Sequence, residues 1–284
     1  MPPAFHLRVV AMVVGAMTLI VSGDVAARLL TAAGFSQFFA AWSRFALAAV
    51  VLAPFCAVQR DEWRFLVRPA IILRACLIAA AISCILTALK TEELATVFGG
   101  FFVGPIVSFV LSALLLGERV TWLRAALLLI SFGGVLLVVK PGFGMTTGLM
   151  FAVMAGSLHG CYLVATRWLA GAYRPRFLLL SQLVIGSIVL APTAIGPVPA
   201  LTAPLAGLIG ISALGSAFGN LLLVLANRQA EASVIAPFIY SQIIIATVLG
   251  YLVFGEWPDA LALVGLAVIV IAGAGSIWAT RRRT

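Results

Sequence analysis

"LLLGERV", residues 114–120, and "LVFGEWP", residues 252–258, decide how this chain folds. Each stretch ends a long apolar run on a glycine followed by a glutamate. Laying Gly117-Glu118 on Gly255-Glu256 takes a shift of 138 places (255 minus 117). The same shift lays "VLAP" at 51–54 on "VLAP" at 189–192, Ser43 on Ser181, Phe39 on Phe177, Glu93 on Glu231, and the base Lys90 on the base Arg228. Identities spread over four apolar segments at one offset mark an internal duplication.

Composition says where the copies reside. Of 284 residues 63% are hydrophobic and 10% charged, against about 25% charged in a soluble domain. With a mean hydropathy of +1.19, the chain has too little polar surface to coat a water-soluble globule, and a bilayer requires none around its middle. Spans of about 20 apolar residues divide it into ten: roughly 7–30, 36–58, 69–89, 93–116, 121–139, 146–168, 176–195, 204–226, 231–254 and 259–279. Turn residues punctuate the links, as in "KPGFG" from Lys140 and "GPVPALTAP" from Gly196. The expected fold is therefore an all-α integral membrane protein of ten transmembrane helices. Residues 1–141 form one five-helix repeat and 142–284 the other. An odd number of spans per copy makes the second enter from the opposite side, so the repeats are inverted, an architecture that can expose a site on the pseudo-twofold axis to either face.

The bases set the orientation. With both termini cytoplasmic, 14 of the 18 bases fall inside, among them Arg8, Arg74 and Arg174, while Arg28, Lys90 and Lys140 lie outside and Arg44 lies within a span. The net charge of +9 thus marks helix ends rather than a nucleic-acid surface, which would interleave its bases with aromatics. The first span could imitate a signal peptide, with Arg8, an apolar stretch and "VAA" at 25–27, but the repeat needs it as a helix. Cys56, Cys76, Cys84 and Cys161 include no CxxC pair and read as small apolar fillers.

The segments that begin at Glu93-Leu-Ala-Thr and Glu231-Ala-Ser each run through a helix interrupted by Gly or Pro to Leu-x-x-Gly-Glu. A last helix with late glycines then follows. This pattern, at 93–139 and 231–279, resembles the paired EamA-type repeat of the drug/metabolite transporter superfamily, along essentially the whole chain. The resemblance implies a ten-helix carrier of polar metabolites in the inner membrane, with exporters of amino acids, aromatic ones included, among similar members. It also implies a central cavity lined by spans 1, 3, 4, 6, 8 and 9. The copies differ in one respect: Gly99, Gly100 and Pro105 stand in the first where the second has Pro237, so the two spans need not break at equivalent depth.

No Walker pattern is present, so transport must run on gradients, and no cofactor is implied. The alternative class, a membrane-embedded enzyme, lacks a nucleophile–base set or clustered metal ligands: His6 is terminal and His159 stands alone. Ionisable groups within spans are costly and default to function. Asp24 and Arg44 sit at similar depth on adjacent spans, and Arg28, four residues on, is a second candidate partner for Asp24. They read either as an ion pair fastening the first two helices, or as a proton-coupling carboxylate and a substrate-carboxylate ligand. Arg44 maps onto neutral Gln182, so this feature is not shared by the halves.

Candidate substrate contacts are the isolated polar groups and facing rings of the proposed cavity spans: Ser83, His159, Tyr162, Asn220, Tyr240, Gln242 and Phe102. The shift pairs Phe102 with Tyr240, so one aromatic from each half is expected near the axis, as suits an amphipathic solute such as an amino acid. Serine hydroxyls have a competing use on carbonyls of their own helix. GxxxG pairs at Gly100/Gly104, Gly156/Gly160 and Gly215/Gly219 read as close helix contacts. Such faces serve contacts within and between chains equally, so oligomeric state is unspecified. Glu118 and Glu256 read as interface anchors near Arg119, Arg124 or helix N-termini. Export of amino acids is the leading function; carriage of another metabolite, such as a vitamin or nucleoside-like solute, is the alternative.

Overall fold

A computed structural model describes residues 3–117, 122–140, 145–196, 199–229 and 238–281. The elements are α1 (Pro3–Ala32), α2 (Gln37–Cys56), α3 (Pro69–Ala88), α4 (Leu94–Phe101), α5 (Val103–Leu116), α6 (Trp122–Val139), α7 (Thr147–Leu169), α8 (Pro175–Leu190), α9 (Ala203–Gln229), α10 (Ser241–Leu249) and α11 (Ala260–Arg281). Short 3-10 turns follow α2 and α8, and a π turn at Gly250–Phe254 extends α10. Every described element is helical. Among the described residues seven helical stretches are long and apolar enough to cross a membrane: Arg8–Ala32, Gln37–Cys56, Pro69–Ala88, Leu94–Leu116, Thr147–Leu169, Pro175–Ala194 and Ala203–Leu223. Three shorter apolar ones, Ala125–Val139, Ser241–Phe254 and Ala260–Ala272, stand beside them.

The helix ends have local causes. Gly117 and Gly255, the glycines of the opening stretches, take φ of +66° and +69°, the left-handed geometry that closes a helix and that a Cβ disfavours. The amide of Gly117 donates to the Ser112 carbonyl, and that of Gly255 to Tyr251. Ser36 caps α2 by accepting from the Phe39 amide at 3.0 Å, Thr146 caps α7 through Leu149 at 3.1 Å, and Asp259 caps α11 through Ala262 at 2.8 Å. Pro69 and Pro175 open α3 and α8, where no amide hydrogen is needed. The span holding Gly99, Gly100 and Pro105 breaks at Phe102 into α4 and α5, because Pro105 has no N–H to donate back to Phe101. Its counterpart is interrupted at the equivalent residue, Tyr240, just before α10, and is widened besides at the π turn near its end. Pro237 lies outside the described residues.

Packing joins the halves. The principal helix pairs are α1 with α9, α6 with α11, α3 with α7, α5 with α7, α2 with α8, α3 with α8 and α2 with α9. Exchanging first-half helices for their second-half counterparts turns α1–α9 into α7–α3 and α2–α9 into α8–α3, and leaves α2–α8 and α6–α11 unchanged. At α1–α9, backbones approach so closely that a Cβ on Gly215 would lie 2.7 Å from the Leu19 carbonyl oxygen, and one on Gly219 2.8 Å from that of Ala16. At α5–α7, a Cβ on Gly160 would lie 2.5 Å from the Gly104 oxygen. All three GxxxG pairs thus include residues at helix crossings.

Contacts also sort the helix ends. At one end of the bundle Arg28, near the C-terminus of α1, meets Glu256, Thr146 before α7 meets Glu92 before α4, and Lys140 after α6 pairs with Asp259 before α11. At the other, Arg174 before α8 meets Glu62, in the turn after α2, at 3.3 Å. There Ile71 of α3 shares a cluster with Leu169 of α7 and Phe177 of α8. The C-terminus of α1 and the N-terminus of its counterpart α7 therefore share one end.

Candidate functional site

A cavity opens where α2 and α3 of the first half face α7, α8 and α9 of the second. It has room for about 80 Å³ of water-sized spheres, less than a pocket closed around a small ligand holds. Its lining repeats the shift of 138: Arg44 and Gln182, Phe45 and Leu183, Ile78 and Ser216, Ile82 and Asn220 are paired positions, and all line it. The two walls differ in character. Ile78 and Ile82 of α3 are apolar, whereas Ser216 and Asn220 of α9 are polar, with Asn220 donating to the Ser216 carbonyl at 2.8 Å.

His159 and Tyr162 complete the polar lining from α7. The His159 ring lies 5.1 Å from Phe101 and 5.6 Å from Tyr162, centroid to centroid. So the structure brings together His159, Tyr162, Asn220 and Arg44 of the expected residues. The other expected contacts do not line the cavity. Phe102 and Tyr240 meet, one from each half, but stack on each other at 5.1 Å within an apolar cluster. Ser83 spends its hydroxyl on the Ala79 carbonyl of its own helix at 2.9 Å. Gln242 is buried near the start of α10. Among the described residues, spans 1, 4 and 9 do not contribute to this lining, while α2 and α8 cross at it and supply the paired positions Arg44 and Gln182.

Two polar clusters flank this centre. In the first, Arg44 donates to Asp24 Oδ1 at 2.7 Å, to the Gly23 carbonyl at 2.9 Å and to Ser212 Oγ at 3.2 Å, all in buried surroundings. The expected Asp24–Arg44 pair is present. The second candidate partner is not: Arg28 turns away to grip Glu256 with two bonds of 2.5 and 2.7 Å, its guanidinium 4.2 Å from the Phe254 ring centre.

The second cluster centres on Arg74, which the charge count assigned to the inner surface. It is instead 3% exposed. It donates to Thr166 Oγ1 at 2.8 Å, the Leu178 carbonyl at 2.8 Å, Gln182 Oε1 at 2.9 Å and Tyr162 Oη at 3.0 Å. Tyr162 in turn donates to the same Gln182 oxygen at 2.7 Å. Arg74 lies near the start of α3, where a long side chain can snorkel out, and that made it look like a surface base. The signal that finds it is the repeat itself. Adding 138 carries Asp24 to Tyr162, Arg44 to Gln182 and Arg74 to Ser212, so both clusters occupy the same three positions.

Glu256 also receives the amide of Leu94 at 3.4 Å, consistent with its reading as an anchor at a helix N-terminus. Glu93 stands beside it, its carboxyl raised above the usual range by burial and then by the Glu256 charge. Asp259 is held low, chiefly by the hydrogen bond from Lys140. Glu118, Arg119 and Glu231, with the side chain of Arg124, lie outside the described residues. Among the described residues no group of acids, histidines and cysteines is arranged to hold a metal.

Comparison with known proteins agrees with the duplication. The EamA-like transporter family description matches residues 7–140 and again 146–278. An S-adenosylmethionine uptake transporter of Rickettsia bellii is 25% identical over 87% of this chain and 85% of its own length. The pseudopaline exporter CntI of Pseudomonas aeruginosa is 28% identical over 72% and 73%. A probable terminal-alkyne amino-acid exporter of Streptantibioticus cattleyicolor is 28% identical over 64% and 62%. A solved crystal structure shares the fold with a TM-score of 0.66 at 17% identity, covering 96% of this chain and 98% of that one. With both halves matched, the chain belongs to the EamA-like transporter family, and is a multi-pass membrane transporter of small molecules rather than an enzyme.

Proposed function

We propose that this protein is a secondary transporter of the inner membrane that exports amino acids by alternating access. The three shorter apolar helices complete ten spans with the seven long ones, in two inverted repeats divided near residue 141, both termini cytoplasmic. Helix contacts that exchange in pairs between the halves support the inversion, and the distribution of bases supports the orientation.

The cavity carries the substrate reading. Its apolar α3 wall faces a polar α9 wall, with Tyr162, His159 and Gln182 between them, all at the junction of the halves. Such a space suits a solute with one greasy and one polar side, and an amino acid has that form. One relative is named an amino-acid exporter. The second reading, uptake of another metabolite, is favoured by the relatives named for S-adenosylmethionine uptake, which match most of the chain.

Flux from liposomes containing only the purified protein tests both. Vesicles preloaded with labelled amino acids are expected to release particular ones faster than empty vesicles, with a rate that responds to an imposed pH gradient if Asp24 couples protons. Release of S-adenosylmethionine alone would replace the amino-acid reading with the second one.

A further inference from the structure

The two polar clusters are the same construction with one charge missing. In the first, Asp24, Arg44 and Ser212 hold a guanidinium against a carboxylate. In the second the equivalent places hold Tyr162, Gln182 and Arg74, so the cation has moved to the α3 position and a phenol stands where the acid was. Among the described residues no carboxylate is within ion-pair distance of Arg74. Arg44 and Arg74 together face Asp24 alone, leaving the centre of the bundle with an excess positive charge. A buried cation held by neutral groups is costly and attracts an anion.

We propose that the carboxylate of the transported solute completes the second cluster, doing for Arg74 what Asp24 does for Arg44. The reading rests on the transport function proposed above and adds the group that is recognised. The seat is already drawn. Gln182 Oε1 accepts at 2.9 Å from Arg74 Nη2 and at 2.7 Å from Tyr162 Oη, two donors converging on one oxygen as they would on a carboxylate. Tyr162 and Gln182 line the cavity, and Arg74 stands behind them, 4.8 Å from the centre of the Tyr162 ring. A solute entering between them displaces the Gln182 oxygen with its own. Gln182 then turns its amide hydrogens toward the second carboxylate oxygen. The apolar part of the solute lies toward Ile78 and Ile82. Solutes lacking a carboxylate, or carrying a net positive charge, leave the excess charge uncompensated and are disfavoured.

Melting of the purified protein with acid and amide pairs tests this. Wild type, Arg74→Gln and Gln182→Glu are heated with each standard amino acid, with succinate and with lactate, and in parallel with the corresponding primary amides. At least one acid is expected to raise the wild-type midpoint while its amide does not. Arg74→Gln should weaken that acid by about ten- to a hundredfold, the range for a charge-assisted bond. Gln182→Glu, which supplies a permanent carboxylate in the same seat, should melt at or above wild type and lose the response, so a folding defect is not mistaken for a lost site. The assignment is overturned if amides bind as well as acids, if Arg74→Gln or Gln182→Glu keeps wild-type affinity, or if no acid stabilises the wild type. Flux separates it from the transport reading: amides crossing as fast as acids would leave transport standing and remove the seat. Arg74-dependent binding without any flux would do the reverse.

Discussion

Asp24 and Arg44 are 3% and 5% exposed and joined at 2.7 Å. Removing one partner leaves the other charged and alone. Asp24→Asn or Arg44→Gln is therefore expected to cost about 3–5 kcal/mol, and both together less than either, which thermal unfolding in detergent can read. Glu93 behaves in the opposite sense. Its carboxyl titrates above its unfolded value because of burial and the Glu256 charge. Ionising it thus opposes folding, and stability falls as pH rises through its folded pKa. Glu93→Gln should raise the melting midpoint at neutral pH, with the gain fading as the medium is acidified through the carboxylate range. Much at this scale was legible in the sequence: an acid and a base at equal depth on neighbouring spans have few other ways to be buried. Arg74 was not, because a base near a span end is indistinguishable from a surface anchor until its partners are known. Arg28 misled for a related reason, since four residues' spacing offers it Asp24 while only folding offers it Glu256.

At the scale of the element, the repeated Leu-x-x-Gly-Glu fixed two helix ends correctly, because a left-handed glycine leaves a mark that needs no tertiary context. The cavity walls were harder. Which face of an all-apolar helix meets protein and which meets lipid is not written in its hydrophobicity, so the share of α2 and α8 in the lining is not legible there; Phe102 and Tyr240 do meet across the halves, on each other rather than on the cavity. The GxxxG pairs carried clearer information. A methyl on Gly160 would strike the Gly104 carbonyl oxygen at 2.5 Å, and backbone cannot yield as a flexible side chain does. Gly160→Ala is expected to separate α5 from α7 and cost about 1–3 kcal/mol, whereas Gly171→Ala, which meets nothing within 4 Å, should melt like the wild type. Differential scanning of the two variants side by side is sufficient.

For the whole molecule, the decisive fact is that the helices prefer the other half to their own. Arg28 and Glu256 tie α1 of one half to the end of α10 of the other. A double-mutant cycle on Arg28→Ala and Glu256→Ala should return a coupling of about 0.5–3 kcal/mol; additive losses would mean that the link contributes nothing as a pair. The arrangement also dictates an order of manufacture. When the first five spans have been synthesised, Arg44 already has Asp24 from its own half. Arg74 has no such companion, for Tyr162, Thr166, Leu178 and Gln182 all emerge later. Until they arrive, a long side chain near the start of a span can snorkel to the lipid headgroups. The newborn half-protein thus differs from the same residues in the finished one by a base whose hydrogen-bond partners have yet to be made.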